Sequence, residues 1–118
     1  ISIVPKYFQD KSILFENGSE IIFTENFFER KKNMISLADI FLVLPGGYGT
    51  LDELFEVISL NQLKVINKKI VLLDIKNFWQ PLERMIKDLK KKGFLYSNNN
   101  IFFKNSINKA MEFIENNL

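Results

Sequence analysis

Short apolar runs alternate along the chain with longer segments in which apolar residues recur every three or four positions. The first pattern is typical of buried strands and the second of amphipathic helices. The predicted strands are residues 1–4, 21–24, 40–44, 70–73 and 101–103, and a helix is predicted after the second strand and after each later one. This alternation favours an α/β fold with a parallel sheet and right-handed crossovers.

Polar residues with the spacing of helix caps mark where several of these helices begin. The predicted N-caps and their capping-box partners are Asn26 with Glu29, Asn77 with Gln80, and Ser106. Three lysines, residues 90–92, precede Gly93 at a predicted helix end. Because they complement the negative end of the helix dipole, no partner is assigned to them. Trp79 and the many phenylalanines are assigned to the core.

The stretch from residue 39 to residue 56 organises the rest of the chain. Its unbroken apolar run, residues 40–44, predicts a strand buried on both faces. Glycines then turn the chain, and Thr50 is predicted to open a helix. The predicted apolar stripe of that helix is Leu51, Leu54, Phe55 and Ile58. A strand, a glycine turn and a helix N-terminus together present free N–H groups and a helix dipole, so we expect a phosphate to bind there.

Two features of the pattern have ordinary structural explanations as well. Glu53 lies three residues after Thr50, which is the capping-box spacing, and spacing alone favours the interpretation that it satisfies the Thr50 N–H. Arg30, Lys31 and Lys32 form a basic triplet that a solvated helix face would also explain.

Composition narrows the chemistry that this chain can perform. The 118 residues suffice for one modest domain, predicted over residues 1–118. A net charge of +2 is too small to indicate a nucleic-acid partner, and no apolar run is long enough to span a membrane. Without Cys or His, disulfides and thiol catalysis are excluded, and a metal site of the zinc type is disfavoured. Acid–base chemistry must therefore use Asp, Glu, Lys or Tyr. The absence of Cys fits a reducing compartment, so we expect a cytoplasmic protein.

The chain opens directly as a predicted strand at residues 1–4. A parallel strand needs neighbouring strands and covering helices. We therefore expect that residues upstream are missing and that the chain is the C-terminal part of a longer domain.

Two motifs coincide on this predicted scaffold. One is Glu-Arg-Lys at residues 29–31, and the other is Pro-Gly-Gly-Tyr-Gly-Thr-Leu-Asp-Glu at residues 45–53. Together they resemble the LONELY GUY family of cytokinin riboside 5′-monophosphate phosphoribohydrolases, whose signatures are an Arg-Lys helix and PGGxGTxxE. Ser59 and the Gln-Leu pair at residues 62–63 also fit, and the resemblance covers nearly the whole chain.

The resemblance implies a Rossmann-like parallel sheet with helices on both faces and a homodimer. It further implies a nucleoside 5′-monophosphate substrate whose base–ribose bond is hydrolysed without a metal or organic cofactor. Arg30 and Glu53 match the catalytic pair of the family. The positions that match substrate-binding residues are Lys31, Gly46, Gly47, Tyr48, Gly49, Thr50 and Ser59.

The chain also departs from the family pattern. Phe27 and Phe28 stand where the family often has Met and His, so the preferred base is left open. At a position where the family often carries an acidic residue, this chain has Ser12. The first strand of the family, with its own Gly-rich phosphate loop, is absent from the sequence.

Other classes of function stay open at this point. One is a binding protein on the same fold that carries a nucleotide-like or molybdenum cofactor. Another is a DNA-processing interaction module, although that would need a basic groove and the charge balance speaks against it. A pyridoxal-dependent decarboxylase is disfavoured because no Schiff-base lysine motif is present.

Overall fold

The computed structural model describes residues 2–5, 21–95 and 100–118. These residues fall into two compact units, Ile1–Ala38 and Asp39–Leu118, and each is described by itself. The loop predicted over residues 6–19 lies outside the described residues, as does most of the loop predicted over residues 97–100. The single domain over residues 1–118 stays a prediction.

The first unit consists of two parallel strands and one helix. Strand β1 (Ser2–Pro5) pairs with β2 (Ile21–Thr24), with Ser2 opposite Ile21. Helix α1 (Phe27–Leu37) packs against both strands. The predicted cap is confirmed, because the Glu29 N–H donates to Asn26 Oδ1 at 2.8 Å. The Glu29 carboxylate in turn accepts from the Glu25 N–H at 2.9 Å, which fixes the entry to the helix.

The second unit alternates strands and helices around a parallel three-stranded sheet. Its elements are β3 (Ile40–Val43), α2 (Tyr48–Gln62), β4 (Lys69–Leu73), α3 (Gln80–Lys91), β5 (Ile101–Lys104) and α4 (Ile107–Asn116). The sheet order is β3-β4-β5, with every pair parallel. The predicted α/β, Rossmann-like arrangement and the predicted order of elements are therefore confirmed.

Strand β4 is the centre of the hydrophobic core. Its residues from Ile70 to Leu73 are all buried, and since successive side chains of a strand point to opposite faces, both faces of β4 are covered. Val71 and Leu73 pack with Ala110 of α4. The two crossovers from β3 to β4 and from β4 to β5 advance in the same direction, so the right-handed rule places α2 and α3 together on one face.

Strand β3 differs from its prediction. It ends at Val43 and is not buried on both faces, since Leu42 and Leu44 are 41% and 54% exposed. The physical reason is its place in the sheet: β3 has one strand neighbour among the described residues, whereas β4 has two. The apolar run therefore indicated a strand correctly, but the prediction of burial on both faces was wrong.

The buried faces of the helices also differ in part from the predicted stripes. Helix α2 buries Leu54 and Val57, while Phe55 is 43% exposed. On α3, Met85 is 55% exposed. In α2 apolar residues occupy more than one side of the helix, so the packed sheet decides which side is buried. In α3 the apolar residues form one stripe, and Met85 lies at its edge.

The predicted cap at Asn77 is wrong. Helix α3 begins at Gln80 with Trp79 as its N-cap, and Asn77 ends a 3₁₀ turn over Ile75–Asn77 with φ of 60°. By contrast, the predicted cap of α4 is confirmed, because Ser106 Oγ accepts from the Lys109 N–H at 3.2 Å. None of the helices in the described residues has the length and apolar character needed to cross a lipid bilayer.

Candidate functional site

The glycine turn leaves the carboxyl end of β3 and leads directly into α2. The helix begins at Tyr48, two residues before the predicted start at Thr50, and Gly47 is its N-cap. The first bond of the helix confirms this start, because the Leu51 N–H donates to the Gly47 carbonyl at 3.0 Å. Thr50 is therefore the third residue of the helix and not its cap.

This helix start leaves N–H groups available to a ligand. In any α-helix the first N–H groups have no acceptor within the helix, which here applies to those of Tyr48, Gly49 and Thr50. The N-cap residue, Gly47, has no side chain that could accept a hydrogen bond from them. Together with the positive end of the helix dipole, these N–H groups suit an anion such as a phosphate.

The glycines of the turn are needed for different reasons. A Cβ on Gly46 would collide with Thr50 Oγ1 and would lie 2.9 Å from Thr50 Cβ, so Gly46 makes room for the Thr50 side chain. A Cβ on Gly47 or on Gly49 would meet nothing within 4 Å. Packing within the protein therefore requires Gly46, whereas Gly47 and Gly49 leave open space beside the N–H groups.

The capping-box interpretation of Glu53 is wrong. A box starting at the actual N-cap, Gly47, would place its acidic residue at position 50, whereas Glu53 lies six positions into the helix. Glu53 is half-buried and stands one helical turn after Gly49. Side chains on a helix lean toward its N-terminus and cover the residue four positions earlier. From this general rule we expect the Glu53 side chain to lean toward Gly49.

Ser59 lies on another side of α2. At 100° per residue, the six positions from Glu53 to Ser59 leave the two side chains about 120° apart around the helix axis. Ser59 is exposed and lines a shallow concavity of about 420 Å³ on the outer face of α2, together with Asp52, Phe55, Glu56 and Leu60. On α2, Glu53 therefore stands one turn after Gly49, whereas Ser59 lies on another side of the helix.

The basic residues of the first motif lie in the first unit. Arg30 and Lys31 are half-buried in the first turns of α1. The start of α1 is held by Asn26 and also by Thr24, which is 1% exposed and whose Oγ1 donates to the Asn26 carbonyl at 3.1 Å. A meeting of Arg30 with Glu53 stays a prediction, since the two residues belong to separately described units.

The turn after β4 was missed by the sequence analysis. Asp74 is 5% exposed, and its carboxylate accepts from the Trp79 N–H at 2.7 Å and from Gln80 Nε2 at 2.6 Å. Beside Trp79 stands Phe78, which is 45% exposed. The available signal was an acidic residue directly after the apolar run 70–73, which is the carboxyl end of a parallel strand.

Comparison with known proteins assigns the family. The model of the family described as possible lysine decarboxylase matches residues 1–116. The chain belongs to this family. The matched range contains both motifs, the basic residues of α1 as well as the glycine turn with Glu53.

The chain is similar in sequence to several phosphoribohydrolases of plants. Over 95 residues the chain is 38% identical to cytokinin riboside 5′-monophosphate phosphoribohydrolase LOG5 of Arabidopsis thaliana, covering 80% of the chain and 42% of the relative. The chain is 37% identical over 95 residues to cytokinin riboside 5′-monophosphate phosphoribohydrolase LOG of Oryza sativa subsp. japonica, and the match covers 80% of the chain and 39% of the relative. To LOG2 of Arabidopsis thaliana the chain is 37% identical over 97 residues, and the match covers 82% of the chain and 46% of the relative.

These matches confirm the resemblance to the LONELY GUY proteins. The chain spans less than half the length of the curated relatives that it matches. Within the described residues, no group of three or more acidic side chains is placed to hold a metal ion.

Proposed function

We propose that the protein hydrolyses the N-glycosidic bond of a nucleoside 5′-monophosphate, releasing the free base and ribose 5-phosphate. The observation that carries this proposal is the arrangement at the start of α2: open N–H groups beside Gly47 and Gly49, with Glu53 one turn further along the same helix. The names of the relatives supply the reaction, since each describes a phosphoribohydrolase of cytokinin riboside 5′-monophosphate.

The glycine turn would bind the 5′-phosphate. Its residues Gly46, Gly47, Tyr48, Gly49 and Thr50 supply backbone N–H groups and the positive end of the α2 dipole. Lys31 would add a cationic contact to the nucleotide.

Glu53 would act on the ribose. Cleavage breaks the bond between C1′ and the base nitrogen, the electron pair leaves with the base, and C1′ becomes oxocarbenium-like. Water then adds to C1′ and loses one proton, which balances the proton that the base nitrogen takes up. A fixed carboxylate stabilises that developing positive charge and can orient the attacking water. Arg30, which is always protonated, would bind the phosphate or orient Glu53.

The remaining parts of the proposal concern the substrate and the assembly. We expect AMP or a cytokinin riboside monophosphate as substrate, with no metal or organic cofactor. A homodimer in the cytoplasm is proposed, without nucleic-acid or membrane partners. Ser59 would contact the substrate only if the ligand or a second copy reaches the outer face of α2, where the structure places this residue.

The proposal is tested by product analysis on the full-length protein. AMP and isopentenyladenosine monophosphate are incubated with it separately, and free base and ribose 5-phosphate are measured. We expect stoichiometric release of both products from at least one substrate. Tight nucleotide binding without release would favour the cofactor-carrier alternative, and carbon dioxide release from lysine with added pyridoxal phosphate would favour a decarboxylase.

A further inference from the structure

The turn between β4 and α3 lies at the same edge of the sheet as the glycine turn. Strands β3 and β4 are parallel with Val43 opposite Leu72, so Pro45 and Asp74 leave the sheet at about the same level. Neighbouring strands are about 4.8 Å apart, and α2 and α3 rise from this edge on the same face. Helices that pack side by side on one face of a sheet are about 8–10 Å apart, and we take this as the spacing between the start of α2 and the start of α3.

Buried contacts hold this second turn in one shape. The Asp74 N–H donates to the Lys104 carbonyl at 2.8 Å, which ties the start of the turn to β5. The Asp74 carboxylate holds the end of the turn through the Trp79 N–H and Gln80 Nε2. Between these anchors, Lys76 and Asn77 adopt positive φ values of 53° and 60°.

Phe78 is a half-exposed aromatic residue on this hydrogen-bonded turn. Trp79 is 3% exposed, and the Phe78 ring packs edge-on against it, with centroids 4.9 Å apart and an interplanar angle of 87°. The contact orients the Phe78 ring, and the residue as a whole is 45% exposed. A preoriented, half-open ring is suited to stacking on a planar ligand.

We infer that Phe78 stacks against the base of the nucleotide whose phosphate is held at the glycine turn. This inference rests on the proposed function and adds a residue that contacts the base. A ribose separates phosphate from base in the substrate, and this separation suits the spacing between the starts of α2 and α3. Stacking does not depend on hydrogen-bond pattern, so Phe78 would accept a purine with or without an N6 substituent.

The test compares nucleotide with sugar phosphate in the full-length protein. Phe78→Leu keeps an apolar contact with Trp79 but removes the planar ring. Loss of one base–aromatic stack should weaken AMP binding about tenfold or more, measured by calorimetry and as KM. Binding of ribose 5-phosphate, which has no base, should be unchanged, and Phe78→Tyr should restore AMP binding.

Phe94→Leu is the matched control. Phe94 is 66% exposed and follows the C-terminal end of α3, whereas Phe78 precedes the N-terminal end of this helix. The same substitution at Phe94 should therefore leave AMP binding unchanged. Equal AMP affinity in Phe78→Leu and wild type, or equal losses for AMP and ribose 5-phosphate, would overturn the inference. A wild-type protein that binds AMP but releases no base would contradict only the proposed reaction, because the stacking test still reads out on binding. A wild-type protein that binds no nucleotide would overturn both.

Discussion

The charge of Glu53 is the residue-scale feature on which the enzymatic proposal depends. Because Glu53 lies six positions into α2, it is not the box residue of the helix cap, and its replacement should not loosen the helix start. Glu53→Gln should keep the melting temperature unchanged. Loss of a transition-state contact of this kind costs on the order of 2.7–4 kcal/mol, so base release should slow at least about a hundredfold.

The control for this prediction is Glu112→Gln, which removes the same charge from an exposed position on α4. It should leave both melting temperature and turnover unchanged. Wild-type turnover in Glu53→Gln would remove Glu53 from the reaction, and a lowered melting temperature would show that its role is structural.

Two glycines of the same turn should respond in opposite ways to the same substitution. In Gly46→Ala the new methyl group collides with Thr50, and overpacking of this kind costs about 1–3 kcal/mol of stability. In Gly49→Ala it enters open space at the second position of α2, where Ala is favoured over Gly by about 0.5–1 kcal/mol.

The activity of Gly49→Ala should nevertheless fall. Its methyl group occupies space that we assign to the ligand, and KM should rise roughly tenfold or more. Chemical denaturation and kinetics on both variants check this pair. A Gly49→Ala protein that is both more stable and fully active would show that no ligand occupies this space.

At the scale of elements, helices α2 and α3 end in the same backbone motif but with different residues. In α3 the Phe94 N–H donates to the Leu89 carbonyl, and Gly93 has φ of 84°. In α2 the Val65 N–H donates to the Leu60 carbonyl, and Lys64 has φ of 59°. These bonds define a Schellman motif, which favours glycine at the residue with positive φ.

Exchanging the residues at these two positions should therefore shift stability in opposite directions. Gly93→Ala should lower the free energy of unfolding by about 1 kcal/mol, because a Cβ is disfavoured in the left-handed region. Lys64→Gly should raise it by a few tenths to about 1 kcal/mol. Denaturant titrations measure both, and a stabilised Gly93→Ala would contradict the assignment of the motif.

For the whole molecule we predict a homodimer. Helix α1 exposes Phe27 and Phe28, whose side chains are 51% and 81% accessible in the single chain. Large exposed aromatic residues are typical of interfaces, so Phe28→Asp should weaken association. Sedimentation of the full-length protein at micromolar concentration should show a dimer for wild type and for the control Phe94→Asp, and a monomer for Phe28→Asp. A monomeric wild type would count against the prediction.

The order of elements and several helix starts could be predicted from sequence because they depend on local interactions. Side-chain periodicity marks a strand or a helix wherever it occurs, and Asn26 and Ser106 cap the residues directly after them. The glycine turn with its helix N-terminus was predictable for the same reason. Its start was misplaced by two residues because Thr50 looks like a cap until Gly46 is seen to accommodate its side chain.

What only the tertiary structure decided depends on neighbours distant in the chain. Within the three-stranded sheet of the second unit, β4 and not β3 is the middle strand, and its residues Ile70–Leu73 are the buried ones because elements distant in the chain, such as α4, cover it. Asp74 replaces Asn77 as the residue that holds the start of α3, since folding of the turn brings its carboxylate to the Trp79 N–H. Local sequence thus determined which segments become strands and helices, whereas packing between segments decided which strand and which side of α2 are buried.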